Sequence, residues 1–281
     1  IVTAAQNVYE GMLVPAALDN STLAGGIKIK KGKLRGVESH GMLCSGVELG
    51  VNENMYPGAD YNGLLVFPED TPVGADVKPI LGLDDWIFDI GITANRPDCQ
   101  SIVGIAREVA AVLEKPFKAP ALDYTEDDVT IDGFKVTVEC PELCPRYMAS
   151  YVYDINIQES PDWLKQRLKS VGINSINNIV DITNFVLMEI GQPMHSFDYD
   201  LLQGNEIVVR RATDNEKITT LDDKEFELNS SNLVICDKYN PQCLAGIMGG
   251  KSSCITDETK AIVFESAMFK RDNIRKTSRT L

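Results

Sequence analysis

A carboxylate at the end of an apolar strand calls for a partner, because an unpaired buried charge is costly. Glu265 follows Ile262, Val263 and Phe264 in such a place. It reads either as an acid that recognises a ligand or as a salt-bridged strand end. His195 follows the stop Gly191-Gln192-Pro193-Met194, which puts it on a loop anchored by a rigid element. An imidazole there can hold an oxygen-bearing group or place a water. The plainer alternative is a histidine bonded to a backbone carbonyl. Ser196 is its neighbour, but no nucleophile–histidine–acid triad follows from the sequence. Thr183 and Asn184 lie on a predicted helix before His195. Asp181 and Asn184, three apart, share a face of that helix and line a pocket or meet solvent. Gly249 and Gly250, after Met248, suit a wall where backbone approaches a ligand closely, or else a tight turn.

Cations and thiols add less. Net charge is −14, which argues against a protein that coats nucleic acid, since such affinity comes from neutralising phosphates. Two basic segments run against that average: Lys28, Lys30, Lys31, Lys33 and Arg35, and then Lys270, Arg271, Arg275, Lys276 and Arg279. Solvated surface charge is the default reading of both. The seven cysteines are scattered and odd in number, against a secreted disulfide framework. Cys140 and Cys144 have admissible zinc spacing but no second Cys/His pair, so no metal is expected. Reduced thiols in a cytoplasmic protein fit better. No stretch approaches the ~20 apolar residues of a membrane span.

The elements that must position these residues follow from periodicity. Residues 26–30 alternate as a half-exposed strand, with Lys28 and Lys30 on one face and Ile27 and Ile29 on the other. Residues 51–75, rich in Gly, Pro, Asn and Asp, read as loop, and residues 84–90 as a strand. A helix is predicted over 99–114 with Asp98 as its cap. Residues 115–133 read as a linker. Strands are expected at 135–139, 146–157, 206–211, 233–236 and 261–265. A helix starts at Ser160-Pro161-Asp162, with Ser160 as cap and Pro161 in the first turn, and Trp163, Leu164, Leu168 and Val171 form its apolar face. Another spans 178–190, burying Ile179, Ile182, Val186 and Ile190. The class is α+β: a partial, OB-like β-barrel segment and then a mixed α/β domain. The expected domains are 1–75, a connecting segment 76–118, and 119–281.

Three parts of the chain together resemble one family. The run Lys28-Ile29-Lys30-Lys31-Gly32-Lys33 through Gly41-Met42-Leu43-Cys44-Ser45 looks like the later half of a tRNA-binding OB-fold. Asn95-Arg96-Pro97-Asp98-Cys99 with Gly104-Ile105-Ala106-Arg107-Glu108 is similar to the region after that fold in bacterial phenylalanyl-tRNA synthetase β subunits. The most specific part is Asn177-Asn178-Ile179-Val180-Asp181-Ile182-Thr183-Asn184, then Gly191-Gln192-Pro193-Met194-His195-Ser196-Phe197-Asp198, then Ala245-Gly246-Ile247-Met248-Gly249-Gly250, and Phe264-Glu265-Ser266-Ala267-Met268-Phe269. In order and spacing it resembles that subunit's editing module.

The resemblance implies post-transfer editing, the hydrolysis of tyrosine mischarged onto tRNA(Phe). It implies that Glu265 reads the tyrosine hydroxyl, with Gly249, Gly250, Met248 and Pro193 around the substrate. His195, Asn184 and Thr183 are expected beside the ester, and Lys28, Lys30, Lys31, Lys33 and Arg35 against tRNA. It also implies an α subunit in an α2β2 enzyme. ATP and Mg2+ are expected to serve that whole enzyme, and this part to need no cofactor. The chain is expected to start inside the OB-fold and to stop before a stretch that completes the editing pocket. The alternative is therefore a non-catalytic fragment for tRNA binding and subunit assembly.

Overall fold

Short strands broken by glycine and asparagine turns make up the first of two compact units, residues Ile1–Asp89 together with Lys169–Asn174. The computed structural model describes residues 1–281 except 54, 127–130 and 132. Strand β1 (Ala16–Leu18) pairs antiparallel with β4 (Gly41–Leu43), and β2 (Gly32–Leu34) forms a hairpin with β3 (Val37–Ser39). Two short helices follow, α1 (Gly46–Leu49) and α2 (Val77–Leu81). Ser45 and Glu48 close a reciprocal capping box at α1. Val51, Ala59, Leu65, Phe67 and Leu81 form this unit's core. The fold is α+β, with no closed barrel among the described residues. Residues 26–30 form only an isolated bridge at Lys28, and Ile27 is exposed while Ile29 is buried. The strand expected over 84–90 is irregular, with Trp86 at 88% exposure; its apolar side chains find no pairing strand among the described residues.

The second unit comprises Ile90–Leu168 and Ser175–Leu281. Helix α3 (Ile102–Val112) opens it. Its cap is Ser101, whose hydroxyl accepts from the Gly104 amide at 3.0 Å, rather than Asp98. Asp98 lies in a 3-10 turn and pairs instead with the Arg96 guanidinium at 2.8 Å. The linker expected over 115–133 falls in part outside the described residues. Then come β5 (Lys135–Val138), β6 (Arg146–Tyr153), α4 (Asp162–Ser170), α5 (Asn178–Ile190) and β7 (Met194–Asp198). They are followed by β8 (Glu206–Arg211), β9 (Glu216–Thr219), β10 (Glu225–Leu228), β11 (Leu233–Cys236), β12 (Pro241–Leu244), β13 (Met248–Gly249), β14 (Ala261–Met268) and α6 (Arg271–Thr280).

Two sheets pack face to face. One has the order β13-β12-β11-β8-β5 and is antiparallel except for the β5–β8 pair. The other is β6-β14-β7, antiparallel throughout. Alternate side chains point to opposite faces of a strand. Ile207 and Val209, Leu233 and Ile235, and Cys243 therefore meet Phe197 and Val263 in one core. The intervening Val234, Cys236 and Leu244 form a second core beneath the β9–β10 hairpin. Strand β11 is buried on both faces, which explains its unbroken Leu-Val-Ile-Cys run.

Helix α5 has the predicted bounds. The Asn177 side chain accepts from the Ile179 and Val180 amides, and Gly191 ends the helix in the left-handed region at φ 79°. Its buried face is not the expected one. Ile182 and Ile190 are exposed, while Asp181 is fully buried. The Asp181 carboxylate accepts from the Ser160 hydroxyl at 2.5 Å, the Ile176 amide at 2.9 Å and the Ser175 hydroxyl. The Ser160 hydroxyl, just before α4, is thus tied by donation to the Asp181 carboxylate of α5. On α4, Leu164 and Leu168 are buried, whereas Trp163 stays exposed beside Phe185. Asp181→Ala would leave the buried Ser160 hydroxyl unsatisfied, at a cost of about 1–3 kcal/mol, and would release the exposed Ser175–Ile176 segment from its anchor. It is expected to lower the denaturant midpoint clearly, with Asp181→Asn intermediate, as read by chemical unfolding.

Candidate functional site

The register of the three-stranded sheet places Glu265 of β14 directly opposite His195 of β7. On the other side of β14, Glu265 faces Ala149 of β6. Opposed residues in an antiparallel pair project from the same face, here toward the larger sheet. Ala149 is small, and the Tyr147 hydroxyl reaches past it to donate to Glu265 Oε2 at 3.4 Å. That long contact is the one hydrogen bond of the Glu265 carboxyl among the described residues. His195 is therefore on a strand and not on the expected loop. Nothing in Met194-His195-Ser196-Phe197 announces a strand; pairing with β14 makes it one.

Glu265 and His195 line a cavity of about 700 Å³ together with Pro193, Met248, Gly249 and Cys243. Helix α6 closes one side with Arg271, Ile274, Arg275 and Ser278. Five of the residues singled out from sequence, Pro193, His195, Met248, Gly249 and Glu265, are thus brought together. Gly250 is not in the lining; its amide donates to the Gln242 carbonyl at 2.7 Å, and a Cβ there would lie 2.6 Å from that oxygen. Thr183 and Asn184 are not brought to the cavity either. The Thr183 hydroxyl donates to the Val180 carbonyl of its own helix at 2.7 Å. Helix α5 nonetheless packs on β7, so these two residues lie in the element behind His195. Tyr147, Cys243 and the α6 residues escaped sequence reasoning. The basic run at 270–279 was the available signal for α6, and no local pattern marks Tyr147.

Burial sets the electrostatics. It pushes the Glu265 carboxyl up to about 8, and the hydrogen bond from Tyr147 only partly opposes it. It pulls the His195 imidazole down to about 4. Tyr147 is pushed well above its usual range, by burial first and then by the neighbouring Glu265. Burial likewise raises Cys243 well above its ordinary value. At neutral pH the cavity therefore holds a protonated carboxyl, a neutral imidazole and a thiol, with the Tyr147 phenol hydrogen-bonded to the carboxyl. His195 Nε2 is buried and has no hydrogen-bond partner among the described residues. Its ring sits edge-on to Phe197, with centroids 4.6 Å apart. A Cβ on Gly249 would lie 2.3 Å from His195 Cε1 and 2.8 Å from Nε2. Glycine at 249 is thus the condition for seating the imidazole.

The basic residues of the first unit are all exposed. Lys28, Lys30 and Lys33 border a cleft of about 820 Å³. Lys31 pairs with Glu38 at 3.8 Å, and Arg35 occupies the β2–β3 turn with φ 49°. All seven cysteines are free. Asp98, Cys99 and Glu108 are the one cation-competent group among the described residues. The Arg96 guanidinium already lies on both carboxylates, at 2.8 and 2.6 Å.

The chain that builds this cavity has relatives among known proteins. Residues 143–281 match the B3/4 domain family. The phenylalanine–tRNA ligase β subunit of Clostridium acetobutylicum is 48% identical over 282 residues, covering 100% of this chain and 35% of that protein. The same subunit of Syntrophus aciditrophicus is 46% identical, with 100% and 34% coverage. An N-terminal fragment of the phenylalanyl-tRNA synthetase β subunit from Pyrococcus horikoshii covers 66% of this chain and 58% of its own, at a TM-score of 0.36 and 16% identity. That likeness is too distant to bear on the fold. The second unit thus carries a B3/4 domain. The chain belongs to the phenylalanine–tRNA ligase β-subunit family, and it spans about a third of the length of the curated relatives it matches. No helix among the described residues is long and apolar enough to cross a membrane.

The cavity has a pH signature. Between about pH 4.5 and 8 Glu265 holds its proton in the folded chain and loses it in the unfolded one, so its contribution to stability falls as pH rises. Between about pH 4 and 6.5 the unfolded chain protonates His195 first, so that contribution rises with pH. The two oppose each other up to pH 6.5, and Glu265 alone acts from 6.5 to 8. Thermal unfolding is expected to show stability declining across pH 6.5 to 8, with Glu265→Gln flattening the decline; parallel curves would refute the assignment. Gly249→Ala is expected to displace the imidazole and return its pKa toward 6.5, read by NMR titration of His195.

Proposed function

We propose that the second unit's cavity is an editing site that hydrolyses the ester of tyrosine attached in error to tRNA for phenylalanine. One observation carries the reading: a buried acid and an unpartnered buried imidazole stand opposite each other in the wall of one cavity, in a chain of this family. Tyrosine differs from phenylalanine by one hydroxyl, and an apolar synthetic pocket excludes an added hydroxyl poorly. A second site built to bind that hydroxyl discriminates in the opposite sense. Glu265 suits this role. Its protonated carboxyl can accept from a phenol and donate to it, and Tyr147 holds one oxygen in place. A phenyl ring would leave the acid unmatched.

His195 acts by position. An imidazole with its pKa near 4 is a weak base at neutral pH. Neutral Nε2 can instead hold a ribose or ester oxygen while water attacks the activated ester. Pro193, Met248 and Gly249 shape the wall around the amino acid, and Gly250 supports it through β12. Thr183 and Asn184 contribute through α5, which seats β7. On this reading the chain works within a phenylalanine–tRNA ligase in the cytoplasm. An α subunit completes an α2β2 enzyme, and ATP and Mg2+ serve aminoacylation elsewhere in it. Lys28, Lys30, Lys31, Lys33 and Arg35, exposed along one segment, meet tRNA phosphates.

Deacylation of tyrosyl-tRNA and phenylalanyl-tRNA by the purified chain tests the proposal. Tyrosyl-tRNA is expected to be cleaved faster. Glu265→Ala should lower kcat/KM for it by roughly 5- to 150-fold, the factor for about 1–3 kcal/mol of lost hydrogen bonding, and should erase the preference. Cleavage of neither substrate would favour a binding and assembly role instead.

A further inference from the structure

Helix α6 is held by one face and offers another. Ile274 packs on the main core, and buried Thr277 accepts from the Asn232 amide at 3.4 Å. Asn273 donates to the Ser231 carbonyl at 2.9 Å. These contacts turn Arg271, Arg275 and Arg279 outward, and all three are exposed. Spaced four apart, they form one stripe along the helix with about 6 Å of rise between neighbours. Arg271 and Arg275 border the cavity, and Arg275 and Arg279 border a shallow depression that shares Arg275 with it.

The stripe has little to neutralise it. Arg275 and Arg279 make no ion pair among the described residues, and Arg271 meets only the adjacent Asp272 at 3.5 Å. Residues 270–281 hold five cations and one acid, in a chain of net charge −14. Lys270 and Arg271 also stand at the N-terminus of α6, where the helix dipole disfavours cations, and no side chain caps that end. Local stability does not account for this arrangement. An anion that runs along the helix toward the cavity does.

We propose that Arg271, Arg275 and Arg279 bind successive phosphodiesters of a single-stranded RNA end, guiding its terminal ribose into the cavity. The proposal takes from the editing reading only that an aminoacylated RNA end enters there. Guanidinium groups suit phosphate oxygens through paired N–H donors, and spaced cations track a backbone without reading its bases.

Binding of a short fluorescent single-stranded RNA to the purified chain, followed by anisotropy over a salt series, tests this without requiring hydrolysis. Arg271→Gln, Arg275→Gln and Arg279→Gln are each expected to make the slope of log affinity against log salt shallower by about 0.7, and the triple variant by roughly 2. Lys238→Gln, an exposed cation elsewhere on the unit, should leave the slope unchanged. An unchanged slope in the triple variant, an equal loss in Lys238→Gln, or equally tight arginine-dependent binding of an oligoglutamate peptide would overturn the proposal. A chain that binds RNA through the stripe yet leaves tyrosyl-tRNA intact keeps this inference and loses the hydrolase reading. A chain that cleaves the ester with the triple variant's RNA binding unaltered does the reverse.

Discussion

The pairing of Glu265 with His195 across β14 and β7 is the constraint on which the rest of the site depends. Strand side chains alternate, so a slip of one residue would turn Glu265 out of the cavity and bring Phe264 or Ser266 in. The register is held by the core. Val263 and Phe197, two positions along on the same faces, are fully buried between the sheets. The apolar residues that stabilise the domain therefore also set the chemistry beside them. Hydrophobic burial and functional geometry are read off a single alternation.

The cavity is expensive in polar terms. It keeps an acid and an imidazole away from water, and one long hydrogen bond, from Tyr147 to the acid, is all that serves them. Burying polar groups with poor partners costs several kcal/mol. The fold lowers that cost by leaving both titratable groups neutral, as the displaced Glu265 and His195 values show. Two apolar cores on either side of the five-stranded sheet offset the remainder. Asp181 illustrates the opposite solution. It is equally buried, yet three donors satisfy it. A satisfied acid supports structure, while an unsatisfied one is poised for a ligand.

Charge is distributed on a similar principle. Acidity dominates the chain, but the cations border concavities: Lys28, Lys30 and Lys33 at the cleft of the first unit, and Arg271 and Arg275 at the cavity of the second. Net repulsion of polyanions suppresses indiscriminate binding, and local cations can still receive a phosphate where geometry permits. In α6 the same ten residues carry an inward face that packs and an outward face that stays charged.

Much of this was legible in the residues themselves. Asn177 and Gly191 bound α5 by capping chemistry, which is local, and the strands at 206–211 and 233–236 follow from runs of β-branched residues. The family resemblance in the 177–198 and 244–269 segments marked Glu265, His195 and Gly249. Other features were decided by partners distant in the chain. His195 looked like a loop residue because only β14 makes its segment a strand. Ile182 and Ile190 looked buried because helical spacing cannot reveal that Asp181 takes the interior. Asp98 looked like a cap until Arg96 claimed it and Ser101 took its place. Periodicity and capping are properties of neighbours in sequence, so the chain alone determines them. Which acid faces which imidazole is a matter of register between strands some 70 residues apart, and only the packed sheets settle it.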